Sequence, residues 1–207
     1  MSDRYPVPKG RHRVSESIRR SRFVTTVGPA PDEEVARAFI EEVRDEFSDA
    51  THNCWAFVAG PPGSTARVGM SDDGEPHQTA GRPMLNALLH SGVGEVVAVV
   101  TRYYGGVKLG RGGLGRAYSG GVQLALASLP LVERVDRVPV RIRLGYDAVD
   151  AVLRLLEEHG VERVSDDWGR RVTLELAVPC DDLERVVREV RDCTAGTADV
   201  VVEPEGS

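Results

Sequence analysis

Cysteine is scarce: the chain has three, Cys54, Cys180 and Cys193, far apart in 207 residues. They form neither a C-x-x-C metal pair nor a disulfide framework. Aromatic residues make up only 5 %. Apolar runs such as Val96–Val100 fall far short of the ~20 residues a membrane helix needs, so no membrane partner is expected. Met1 to Arg13 holds no apolar signal core, which predicts a cytoplasmic protein. Lysine is nearly absent, with Lys9 and Lys108 alone among 26 basic residues. What is present is ample for folding: hydrophobic residues are 41 % and charged residues 28 %, which excludes general disorder.

The net charge of -6 conceals a strong contrast. Residues 1–28 carry seven Lys/Arg against two acids, and residues 80–132 carry five against one. Between them, residues 29–79 carry three against eleven, and residues 133–207 carry eleven against eighteen. If the two basic stretches meet in the fold, they make an anion-attracting face on an acidic protein.

Periodicity predicts two domains, 1–132 and 133–207, with Pro130 and Pro139 bracketing the boundary. In the first, strands are expected at Ser21–Val27, Asn53–Ala59, Ala66–Met70 and Val96–Thr101. Helices are expected along the Val35-Phe39-Val43-Phe47 stripe, from about Gly81 to His90, and from about Leu114 to Leu129. In the second, alternation from Val138 to Tyr146 and from Val172 to Val178 marks strands, with shorter ones at Val161–Val164 and Asp199–Val202. Helices capped by Asp147 with Asp150 and by Asp181 with Glu184 lie between them. That β-α-β-β-α-β order is ferredoxin-like.

Chemistry concentrates in three segments. From Gly105 to Gly121, eight of 17 residues are glycine, interleaved with Tyr103, Tyr104, Tyr118, Arg102, Lys108, Arg111 and Arg116. Glycine brings backbone N–H groups close to a ligand, and a helix starting there presents its positive end. Arg102, Tyr103, Lys108, Gly110, Arg111, Gly112, Gly113 and Arg116 are therefore the expected phosphate or nucleic-acid contacts. Strand alternation places Tyr103 and Tyr104 on opposite faces, so only one can meet such a ligand. Gly110, Gly112 and Gly115 match G-x-G-x-x-G, but some nine residues beyond the strand and with no ribose-binding acid following, so dinucleotide binding is not expected.

The acidic turn Ser71-Asp72-Asp73-Gly74-Glu75 with Thr79 would hold Mg²⁺, supply an acid or base, or simply turn the chain, with Thr79 capping the next helix. No other cofactor is implied. His52 and Cys54 share a strand face; a Cys–His nucleophile and a buried structural cysteine are both open readings.

Together, His52-Asn53-Cys54-Trp55-Ala56, Ser71-Asp72-Asp73-Gly74-Glu75-Pro76, Thr79-Ala80-Gly81 and the run from Val99 to Gly110 resemble the IMPACT/YigZ family. Gly112-Gly113-Leu114 and Arg116-Ala117-Tyr118 extend the likeness, while His77-Gln78 and Gly115 depart from the pattern. The resemblance implies an α+β chain. Its N-terminal α/β sandwich would be like the fourth domain of elongation factor G, itself like the second domain of ribosomal protein S-five. A C-terminal ferredoxin-like βαββαβ domain would follow. It also implies work at the ribosome: an RNA- or ribosome-associated protein, not an enzyme, that modulates translation. Two alternatives are an enzyme acting on a small phosphorylated or nucleotide ligand, with Asp73 or Glu75 near Lys108, and a module that binds a protein partner through its ferredoxin-like sheet.

Overall fold

The computed structural model describes residues 4–203. Tyr5–Arg134 forms one compact unit, and residues 135–203 form a second.

The first unit is built on a five-stranded antiparallel sheet. Its strands are β2 (His12–Ile18), β3 (Ser21–Pro29), β4 (His52–Val58), β5 (Val68–Ser71) and β6 (Val96–Tyr103), in the order β2-β3-β6-β4-β5. A separate ribbon pairs β1 (Arg4–Pro8) with β7 (Leu131–Val135). Helix α1 (Glu33–Glu46) covers one face, burying Phe39, Ile40 and Val43 against Phe57, Val97 and Val99. Its buried stripe is Ala36-Phe39-Ile40-Val43, one position round from the expected one, and Val35 is exposed. Asp32 caps α1 by accepting from the Val35 amide at 2.8 Å, with Glu33 and Glu34 at the positive end of the helix dipole.

Helices α2 (Gly81–Leu89) and α3 (Arg111–Ala127) cover the opposite face. Strand parity decides which side chains meet them: Val96, Ala98 and Val100 of β6 and Cys54, Ala56 and Val58 of β4 face α2 and α3. Gly121 lets α3 lie close on β3, since a Cβ there would sit 2.7 Å from Thr25 Oγ1.

Strands β2 and β3 are joined by two residues, Arg19 and Arg20, with φ of 45° and 69°. That is the type I′ pattern, which ordinarily takes Asn-Gly. For side chains with a Cβ, left-handed backbone costs roughly 1–2 kcal/mol each.

In the second unit, β8 (Arg137–Leu144), α4 (Val149–Glu158), β9 (Glu162–Trp168), β10 (Val172–Pro179), α5 (Leu183–Cys193) and β11 (Asp199–Val202) follow in that order. The antiparallel sheet order β11-β8-β10-β9 and both helices packed over one face make this the ferredoxin-like arrangement. The expected strand to Tyr146 ends at Leu144, where Tyr146–Ala148 begins a 3-10 turn. Neither expected cap forms: α4 and α5 each start from a 3-10 turn with no side-chain cap bond, since the turn already engages the first amides. Strand β9 runs longer than expected, as an exposed edge.

Candidate functional site

Arg102 shares parity with Val96, Ala98 and Val100, so β6 drives it inward beneath α3. It is 4 % exposed. Its guanidinium lies over the rings of Phe23 and Tyr104, at 5.5 and 5.3 Å. Nη1 donates to Glu75 Oε1, and Nη2 reaches Ser21 Oγ at 3.5 Å. Arg102 Nε is buried and has no hydrogen-bond partner. The same Glu75 oxygen accepts from the Tyr118 hydroxyl at 2.7 Å, and His52 Nε2 stands 4.0 Å from it. Burial is the largest influence on Tyr118, with Cys54 and Glu75 adding to it, and its hydroxyl stays protonated far above the usual range.

The acidic loop is held by its own amides. Asp72 Oδ1 accepts from the Ala80 and Gly81 N–H groups at 2.9 Å, and Oδ2 from Gln78 N–H at 2.7 Å. Burial opposes ionisation of Asp72, but these three donors and nearby His77 outweigh it and hold the carboxyl below its ordinary range. Asp73 turns elsewhere, accepting from Asn53 N–H at 2.6 Å and pairing with Arg44 at 3.2 Å. Asp72, Asp73 and Glu75 therefore serve three different partners. Among the described residues no group of three or more His, Cys, Asp or Glu side chains is placed to hold a metal. The three carboxylates of this turn therefore do not converge on one Mg²⁺ position.

His52 Nδ1 lies 2.7 Å from the Asp73 carbonyl oxygen, which can only accept. Nδ1 must donate, leaving Nε2 as the lone-pair nitrogen of the neutral ring. Cys54 is not its partner. The thiol donates to the Asp72 carbonyl at 3.0 Å, and burial pushes it far up its scale, so it is a structural cysteine.

Above this cluster opens a hollow of about 480 Å³, lined among others by His52, Glu75, Arg102, Tyr104, Lys108 and Arg111. Gly110, with φ of 73°, caps α3 there, and Leu114 N–H makes the first intrahelical bond to Gly110. The amides of Arg111, Gly112 and Gly113 precede that bond, at the positive end of the helix. Arg111 donates to the His77 carbonyl at 3.0 Å. Among the described residues neither Lys108 nor Arg111 has a carboxylate within ion-pair reach.

Several expected contacts fall elsewhere. Arg102 is occupied by Glu75. Tyr103 faces the α1 side, donating to Asp49 at 2.7 Å, and Tyr104, 46 % exposed, stands at the hollow instead. The helix begins at Arg111, not Leu114, so Gly112 and Gly113 belong to its first turn. Gly112 and Arg116 line a groove of about 870 Å³ between α2 and α3, together with Arg82. Gly113 and Arg116 border a third depression of about 450 Å³ with Arg19. Thr79 does not cap α2. Its hydroxyl donates to the Pro76 carbonyl at 2.5 Å, and Asp72 engages the first amides of α2 instead. The two basic stretches do meet, since Arg19 and Arg116 line the same depression. Further back, Arg11 and Arg13 are neutralised by Glu46, at 2.6 and 2.5 Å.

A buried Glu–Arg–Tyr cluster beneath a rim carrying Lys108 and Arg111, on an antiparallel sandwich followed by a ferredoxin-like unit, defines a two-domain α+β protein with a cation-edged hollow. Residues 19–126 match the Impact N-terminal domain, and residues 142–197 match a domain of unknown function. The chain belongs to the IMPACT family. It is 38 % identical to the IMPACT family member YigZ of Escherichia coli K12, covering 96 % of this chain and 98 % of that protein. An IMPACT family member of Haemophilus influenzae is 41 % identical over 93 % of each chain. The crystal structure of a hypothetical protein, 37 % identical, superposes with a TM-score of 0.71 over the whole of both chains.

Proposed function

We propose that the protein binds RNA, on its own or on the ribosome, and modulates translation without catalysing a reaction. The observation that carries this reading is the placement of Lys108 and Arg111, both without carboxylate partners among the described residues, at the start of α3 beside the exposed ring of Tyr104. A phosphate meets two cations and free helix amides there, and a base finds an aromatic face. Two phosphates held by these cations contribute about -1.4 to the salt slope on single-stranded RNA. Ribosome co-sedimentation and oligonucleotide binding test this with Lys108→Ala/Arg111→Ala. The variant is expected to co-sediment less and to lose that part of the slope, whereas unchanged binding and slope would sink the reading.

A second reading, an enzyme acting on a small phosphorylated or nucleotide ligand, draws support from His52. Its ring is oriented by the Asp73 carbonyl, with Nε2 beside Glu75 at the hollow, which is how a proton acceptor is positioned. A nucleotide bound at 100 times its dissociation constant would stabilise the fold by about 2.7 kcal/mol under either reading, so what separates them is turnover: conversion of a bound mononucleotide by the parent and not by His52→Ala favours the enzyme.

A further inference from the structure

We infer that the β2–β3 hairpin tip, Arg19-Arg20, is a second phosphate subsite, continuing the strand of RNA held in the hollow. The inference rests on the RNA reading above and assigns that ligand a path.

Three observations converge on the tip. First, Arg19 and Arg20 occupy the two positive-φ positions of a two-residue turn, where Asn-Gly would sit without strain. Second, both side chains are exposed and, among the described residues, neither has a carboxylate within ion-pair reach, although Arg11 and Arg13 of the same basic stretch share Glu46. Third, the tip adjoins the hollow. Gly105, next to Tyr104, lies so close that a Cβ on it would fall 2.0 Å from the Arg20 carbonyl oxygen. Leu109 is a wall of the hollow and also of the depression that holds Arg19 and Arg116, with Glu16 on its border. An extended anion seated at Lys108 and Arg111 therefore leaves the hollow over Leu109 and meets Arg19, Arg20 and Arg116. A mononucleotide ends before them.

The test compares a uridine decamer with uridine 5′-monophosphate, across a fourfold range of salt. In the whole protein, Arg19→Asn/Arg20→Gly installs the preferred turn while removing both charges. Two lost contacts lower the decamer's salt slope by about 1.4, so a fourfold rise in salt weakens this variant about sevenfold less than the parent. Affinity for the monophosphate stays unchanged, and the thermal midpoint does not fall, because the strained backbone is relieved. Arg19→Lys/Arg20→Lys keeps the parent's slope. If the Asn-Gly variant binds the decamer with the parent's affinity and slope while Lys108→Ala/Arg111→Ala does not, the subsite is refuted and the hollow stands. If the parent binds neither probe, both fall together.

Discussion

Glu75 and Arg102 are paired inside the protein, the carboxylate coming from the 71–80 loop and the guanidinium from β6. The pair is buried, with 3 % and 5 % of the two side chains exposed. It joins the loop to the sheet and forms the floor of the hollow. Removing one member leaves a buried charge uncompensated, which costs about 3–5 kcal/mol. Arg102→Ala should therefore lower the denaturant midpoint sharply. Glu75→Gln/Arg102→Met, which removes both charges and leaves Tyr118 an acceptor, should recover most of the loss. A mild effect of Arg102→Ala would show that the pair holds little in place.

Tyr104 and Tyr103 are neighbours with opposite fates, and ligand binding should distinguish them. Stacking of a base on an aromatic ring is worth about 1–3 kcal/mol. Tyr104→Ala should weaken oligonucleotide binding about 5- to 150-fold. Tyr103→Phe, which removes only the hydroxyl bound to Asp49 on the other face of the sheet, should leave it unchanged.

Asp72 predicts the acid limb of stability. Its folded carboxyl titrates below the ordinary value of 3.8, so the unfolded chain takes up the proton first. The contribution is present above that ordinary value and is lost as the pH falls through the lower folded one. Asp72→Asn should be less stable at neutral pH, by about 0.5–2 kcal/mol as for other lost caps, and should show a shallower decline in acid. Urea midpoints from pH 7 to well below 3.8 check this.

Gly105 and Gly106 separate steric from conformational cost. Gly105→Ala drives a Cβ against the Arg20 backbone, which cannot retreat without moving the hairpin. Gly106 has φ of 84° but open space around it, so Gly106→Ala costs only the backbone strain, roughly 1–2 kcal/mol. Gly105→Ala should be the more destabilising of the two, and equal midpoints would contradict the close packing.

The regular elements were legible in the sequence because their periodicity is strong. The final strand, β11, appears at the expected Asp199–Val202, and β6 begins at Val96 as expected. Strands β1, β2 and β7 are not among those the sequence predicts. Every residue of β2 is partly or fully exposed, and a polar alternation such as His12-Arg13-Val14-Ser15-Glu16 carries little apolar signal. Glycine lowers helix propensity, so the sequence predicts α3 from Leu114, three residues after its true start at Arg111, and packing on the sheet overrides that preference.

The site was half legible. Composition located the cationic, glycine-rich segment, and the hollow gathers Lys108, Gly110 and Arg111 with His52 and Glu75. Composition could not orient β6, which is buried on both faces, so parity alone did not tell Arg102 and Tyr104 from Tyr103. Nor did anything local mark Asp72, whose partners lie six to nine residues ahead.

For an anion that docks as proposed, the neutral floor of the hollow also divides the labour of recognition. Since Glu75 cancels Arg102, long-range attraction must originate at the edge, from Lys108, Arg111 and the arginines outside it. Capture speed then belongs to those peripheral side chains and fades with electrolyte, whereas dwell time belongs to the shape beneath them.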